Sequence, residues 1–255
     1  MQNAAIRQAE NNPAEIISFN NWVSKDVEQK QTAPQKVKAP ILDAEYLGAN
    51  VKPSTPVEPL SEHDVVLLRN YFFNNNDYFR SMPTNRRNYL YIVLSLNLMR
   101  RGGDMVKLRV SDVLNEDGSF KEHVIFSREE KTGKRAVVYL NSKCREALVE
   151  YFGFIGEYKM SDWLFPNYKT AGEHMTVDGM RKMLQRTCAK LGIETHVGTH
   201  SLRKTIPHLA ITNSTSTEDE ATVSQLLNHS NIRTTYHYIG RNQRELDDFV
   251  ERNAL

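Results

Sequence analysis

Residues 198–211 read GTHSLRKTIPHLAI, and residues 226–240 read LLNHSNIRTTYHYIG. Between them the two stretches hold His200, Arg203, His229, Tyr236 and Tyr238. Each residue has an ordinary explanation by itself. His-x-x-Arg puts two neighbours on one face of a helix start, where the arginine can pair with a surface acid. A histidine after LLN suits a helix end facing the dipole, and the tyrosines suit a core or a surface. The gathering of all five in one short span is what asks for a reason.

Working outward, the surrounding segments are helical. They are 201–212 (SLRKTIPHLAIT), 218–229 (EDEATVSQLLNH), 232–239 (IRTTYHYI) and 243–253 (QRELDDFVERN). Upstream, 142–155 and 176–192 carry the same periodicity, with Gly192 as a stop and Asn228 as a second one. At 59–73, PLSEHDVVLLRNYFF opens with Ser61 as N-cap and acids in the first turn. The run at 85–101, NRRNYLYIVLSLNLMRR, is apolar enough for a buried helix. Two β-branched runs, 122–128 and 135–140, flank EEKTGK, which predicts a hairpin with Lys131, Gly133 and Lys134 in its turn. The expected fold class is mainly α with a small antiparallel β-sheet (α+β).

Residues 1–57 differ in character. QKQTAPQKVKAP and VKPSTPVEP favour an extended linker, and Ile16, Phe19, Val23 and Val27 mark one face of a short helix. The predicted organisation is an extension over 1–57, a main domain over 58–240 and a C-terminal helix over 241–255. In that last helix Leu246, Phe249 and Val250 form one apolar stripe.

Composition excludes several classes. No run approaches the length of a membrane span, and the first thirty residues lack a secretory pattern. Cys144 and Cys188 form neither a CxxC nor a Cys/His cluster, which argues against a disulfide framework or zinc site and for a reducing, cytoplasmic setting. Net charge is +2, with six Lys+Arg against seven Asp+Glu in residues 1–60 and 27 against 24 beyond. Charge alone does not announce a nucleic-acid partner.

Chemistry is more informative. Cutting a phosphodiester without a metal needs fixed donors for the non-bridging oxygens, and a planar, permanently charged arginine suits that task. The leaving alkoxide needs a proton, which a lysine or histidine can supply. A tyrosine hydroxyl can hold the phosphate covalently. Arg101, Lys131, His200, Arg203, His229 and Tyr238 could fill every role. His200, His208 and His229 lack the carboxylate spacing of a metal site.

Order and spacing sharpen the reading. THSLRKT followed by LLNHSNIRTTYHYIG resembles the C-terminal signature of the tyrosine recombinases, the phage-integrase family: His-x-x-Arg, then Leu-Gly-His, then Thr-x-x-Tyr. In that pattern the tyrosine nine after the last histidine is the nucleophile, so Tyr238 matches and Tyr236 does not. RRGGDMVKLRVSDV resembles the family's first arginine box, with Arg101 three before Asp104, seven before Leu108 and eleven before Asp112. Arg100 is one residue out of register. The Lys-Thr-Gly of the hairpin points to Lys131 as the lysine, with Lys134 as the alternative. Two departures stand out. Asn228 replaces the usual glycine before the histidine, and SLNLMRR replaces the usual Thr-Gly-Leu-Arg approach to Arg101. Asparagine tolerates the left-handed conformation a glycine would supply.

The resemblance implies a site-specific DNA recombinase or integrase of a mobile element. Tyr238 would attack a DNA phosphate to give a 3′-phosphotyrosyl bond, with Arg101 and Arg203 clamping the oxygens. His200 and His229 would support them, and Lys131 would protonate the 5′-oxygen. It implies no cofactor, metal or ATP. The expected partners are double-stranded DNA and further copies of the chain, monomeric in solution and tetrameric on DNA, with the C-terminal helix docking on a neighbour. Asp104 is expected to hold an arginine or a helix end. Residues 1–57 are too short for the family's core-binding domain, so either a compact enzyme or part of a longer one is expected, with low, salt-dependent DNA affinity. Two other readings share the fold: a DNA-relaxing enzyme like the type IB topoisomerases, and a non-catalytic DNA-binding accessory protein. A metal nuclease would need a carboxylate cluster that the sequence lacks.

Overall fold

The buried helix read at 85–101 is the centre of the molecule. In the computed structural model, which describes residues 57–74, 82–214, 216–229, 231–239 and Glu251, it spans Met82–Leu98 (α2). Tyr89 to Leu94, Leu96 and Leu98 are all buried, so α2 is enclosed on every side, as an apolar run without a polar face must be. It packs against Glu62–Asn74 (α1), Ser142–Ile155 (α4) and Thr199–Asn213 (α6). Ser61 caps α1 as expected: the Asp64 amide donates to its Oγ at 3.1 Å, and the Ser61 amide donates back to Asp64.

The hairpin is shorter than the apolar runs suggest. His123–Phe126 (β1) pairs antiparallel with Ala136–Tyr139 (β2), with Val124 opposite Val138 and Ile125 opposite Val137. Val124, Phe126, Ala136 and Val138 face the core, whereas Ile125, Val137 and Tyr139 face solvent. This period-two alternation fixes the register, because a one-residue slip would turn the core face outward. Beyond the strands, the Glu129 amide bonds Lys134 O and the Gly133 amide bonds Glu129 O, both at 2.8 Å. Gly133 takes a φ of 67°, a conformation glycine adopts without the Cβ cost.

Two short elements were not legible beforehand, Gly102–Met105 (α3) and the 3-10 turn Val110–Asp112. Val177–Lys190 (α5) is capped by Thr176, whose hydroxyl accepts from the Gly179 amide, and it stops before Gly192. Asn228 adopts a φ of 59° after Thr217–Leu226 (α7), the left-handed stop the sequence suggests. The polar TNSTSTEDE stretch reads as a flexible loop, but helix takes most of it. Helix α6 runs through Asn213, α7 starts at Thr217, and Ser216 caps α7 by accepting from Glu218. Ile232–Ile239 (α8) follows. Cys144 and Cys188 are buried free thiols. No helix of the described residues is long and apolar enough to cross a membrane. The helix predicted at 14–28, the linker and the C-terminal helix with its Leu246, Phe249 and Val250 stripe lie outside the described residues.

Candidate active site

Helix α2 ends at Leu98, and the chain must then turn sharply. Met99 does this with a φ of 52°, standing where the Thr-Gly-Leu-Arg pattern has glycine. A non-glycine residue there costs about 1–3 kcal/mol, so the surrounding packing must hold it. The turn delivers two consecutive arginines to different places. Arg100 is buried, its side chain 1% exposed, with Nε donating to Leu98 O at 3.0 Å, Nη1 to Glu129 at 3.3 Å and Nη2 to Leu226 O. Arg101 keeps 19% of its side chain exposed and gives Nη1 to Glu129 at 3.2 Å. Of the two, Arg101 is the one whose side chain stays partly exposed.

Close approach places Arg101 beside α6. A Cβ on Gly102 would lie 3.2 Å from Thr199 Cβ, so the starts of α3 and α6 meet at a position where any side chain would crowd. His200 lies in the first turn of α6, exposed, and Arg203 lies one turn on, 1% exposed. Arg203 Nη2 donates to Leu227 O at 2.8 Å, tying α6 to the end of α7. Just beyond that end stands His229. Its Nδ1 is 3.0 Å from the hydroxyl of buried Thr235 on α8, which orients the ring and leaves Nε2 as its other polar atom.

The hairpin turn carries Lys131, which is exposed. Lys134, its alternative, reaches Asn228 O at 3.4 Å and is thereby tethered to the backbone before His229. Asp104 corrects an expectation: it bonds neither an arginine nor a helix end. Its Oδ1 accepts the Glu130 amide at 2.8 Å and fixes the base of the turn. Tyr238 lies in α8 one residue before its end, and α8 packs on α6 and α7. Tyr236 donates its hydroxyl to Glu220 of α7.

Five of the six candidates thus share one electrostatic neighbourhood. His200 resists protonation because of desolvation and then the charges of Arg203, Arg101, Lys204 and Lys131. His229 is pushed down to about 4 by desolvation and by Arg203, Arg101 and Arg100, against a smaller opposing effect of Glu129. Both rings therefore favour the neutral form near pH 7 in this cationic setting. Among the described residues no group of three His, Cys, Asp or Glu could hold a metal ion.

The lowered histidine has a consequence for stability. An unfolded histidine binds its proton near pH 6.5, whereas His229 waits until about 4. The unfolded chain therefore binds more protons between these values, so stability is lost as pH falls from about 6.5 to about 4 and does not change above. Partial exposure reduces the ideal figure to roughly 2 kcal/mol. Urea unfolding at pH 7 and pH 4.5 should show this loss in the parent and a smaller one in His229→Asn. Equal losses would contradict the assignment.

Sequence reasoning missed Glu129. It is fully buried in a turn otherwise rich in Arg128, Lys131, Lys134 and Arg135. An acid inside such a run is a signal that some of those charges, or others near it, are neutralised there.

The arrangement can be set beside known proteins. The Phage integrase family model matches residues 68–245. "Probable integrase/recombinase YoeC" of Bacillus subtilis (strain 168) is 27% identical over 190 residues, covering 74% of this chain and 90% of that protein. "Tyrosine recombinase XerD" of Rickettsia bellii (strain RML369-C) is 27% identical over 145 residues, covering 54% and 46%. The structure of XerH site-specific recombinase bound to palindromic difH substrate, a post-cleavage complex, superposes with a TM-score of 0.60 at 19% identity, covering 79% of this chain and 54% of that one. This chain spans about half the length of the XerD and XerH proteins. The fold, the matched segment and the ordered boxes agree: the chain belongs to the phage integrase family, the tyrosine recombinases.

Proposed function

We propose that this protein cuts and rejoins double-stranded DNA at specific sites through a 3′-phosphotyrosyl intermediate on Tyr238, without metal or ATP. The observation that carries this reading is the close approach of the chain after Arg101 to the start of α6, with Arg203 tied to the helix end before His229, so that Arg101 and Arg203 act on both His200 and His229 and Lys131 acts on His200. A phosphodiester carries the negative charge that such a group of cations attracts. Arg101 and Arg203 hold its non-bridging oxygens, and fixed donors of this kind act most strongly on charge that grows in the transition state. The neutral histidines donate hydrogen bonds or take up a proton as that charge develops. The Tyr238 oxygen bonds to phosphorus and gives its proton to water. The bond from phosphorus to the 5′-oxygen breaks, and Lys131 protonates that oxygen. A 5′-hydroxyl from a second duplex then reverses the chemistry, so the phosphate bond energy is kept.

Strand exchange between two duplexes needs four such sites, and a tetramer on DNA is part of the proposal, as is a cytoplasmic setting. Service to a mobile element as its integrase is the preferred biological role, supported by the name of the Bacillus subtilis relative. The test is a nicked duplex carrying the recombination site, incubated with the protein in EDTA. Cleavage beside the nick releases a short fragment and traps the covalent adduct. Digestion and mass spectrometry should place the nucleotide on Tyr238. An adduct on Tyr236, or none in EDTA with one in added metal, would overturn the mechanism.

A further inference from the structure

The carboxylate of Glu129 joins parts of the site that are remote in sequence. Its side chain is 0% exposed. Oε1 accepts from Arg100 at 3.3 Å, and Oε2 accepts from Arg101 at 3.2 Å, from Thr132 Oγ1 at 2.8 Å and from Asn228 Nδ2 at 3.5 Å. One acid therefore touches the arginine before α3, the turn bearing Lys131 and the residue before His229. Its own backbone closes that turn through Lys134 and Gly133.

Burial alone would raise its pKa, but the Thr132 hydroxyl and then Arg100, Arg101 and Arg203 outweigh that and hold it below the usual range. Glu129 is accordingly an anion. Arg100, which occupies the leucine position of Thr-Gly-Leu-Arg, supplies a second buried counter-charge on Oε1. That leaves Oε2 for Arg101, Thr132 and Asn228.

Resting on the function proposed above, we infer that Glu129 is a positioning residue for strand cleavage. It sets the guanidinium of Arg101 and the lysine turn in register with each other before DNA arrives. The acid does not meet the phosphate. It takes Arg101 by a single nitrogen, Nη1, of a side chain with five N–H donors. Without it, Arg100, Arg101 and Arg203 repel one another and the turn loses its Thr132 anchor. A displacement of about 1 Å in a reacting constellation costs about 100-fold in rate.

The test compares single-turnover cleavage by the parent and Glu129→Gln on two nicked duplexes. One is ordinary. In the other, sulfur replaces the bridging 5′-oxygen, so the leaving thiolate needs no proton. The variant should lose about 100-fold on the oxygen substrate and distinctly less on the sulfur one, with undiminished DNA affinity. A purely structural role lowers both rates equally, because an unfolded fraction cuts neither. Equal losses, or cleavage at the parental rate, would therefore overturn the inference. If Glu129→Gln is too unstable to handle, the same ratio is read in Arg100→Met/Glu129→Gln, where the buried pair is removed whole and folding is spared an orphaned charge. Recovery of the oxygen rate in that double variant would also overturn it. If the parent itself gives no adduct, the proposed function fails and this inference with it. A parental adduct with an unaffected variant removes this inference alone.

Discussion

Tyr238→Phe should abolish the covalent adduct while leaving DNA binding in place. The substitution removes one oxygen, the atom that bonds to phosphorus in the proposed mechanism, and the neighbouring tyrosine does not replace it. Tyr236 is two residues away, but its hydroxyl is engaged by Glu220 on α7. Successive helical residues also lie about 100° apart, so two positions of α8 separated by two cannot present their side chains to the same point. Tyr236→Phe should therefore cleave normally and lose the Glu220 bond, about 1 kcal/mol of stability. Gel-shift binding and adduct formation measured on both variants check this. Adduct formation by Tyr238→Phe, or its loss in Tyr236→Phe, would move the nucleophile.

The second large effect belongs to Lys131. If its ammonium protonates the leaving 5′-oxygen, Lys131→Ala should slow cleavage of ordinary DNA by about 10²–10⁴-fold, the range of general acid catalysis. The loss should vanish when sulfur replaces that oxygen, because a thiol with a pKa near 8.5 leaves as its anion without help. Lys134→Ala is the informative control. Its Nζ reaches Asn228 O, so its removal loosens the approach to His229 and should slow both substrates alike. If the sulfur rescue instead appears in Lys134→Ala, the acid is Lys134, three residues further along the turn.

Much of this was legible before any coordinates, for physical reasons. The α2 run, the α1 cap at Ser61 and the alternating hairpin are local patterns whose period decides the element. Asn228 as a left-handed stop follows from a side chain that tolerates that region. Arg101 could be separated from Arg100 only by counting to Asp104 and Leu108, and their difference in burial appears only in the fold. What stayed hidden was set by tertiary contact. Met99 carries no sign of a positive φ, since methionine is a good helix former. Asp104 bonds the Glu130 amide, a partner 26 positions away that no helical spacing points to. Glu129 and Thr235 act through Arg100, Arg101 and His229, and such partnerships have no period. The short α3 escaped because four residues are too few to show one.

The chain enters the catalytic body through residues 57–60, and that entry is bolted to the helix bearing His200 and Arg203. Lys204 Nζ donates to Val57 O at 3.0 Å, the Leu60 amide donates to Thr205 Oγ1 at 3.0 Å, and the Glu58 amide donates to His196 O at 3.1 Å just ahead of α6. Lys204 and Thr205 directly follow Arg203 in sequence. Whatever pulls or twists the polypeptide upstream of Val57 thus delivers its load to the helix bearing His200 and Arg203. The same fastening marks where the chain can be shortened. A protein beginning ahead of Val57 keeps all three bolts, whereas one beginning after Leu60 loses the bonds to Lys204, Thr205 and His196.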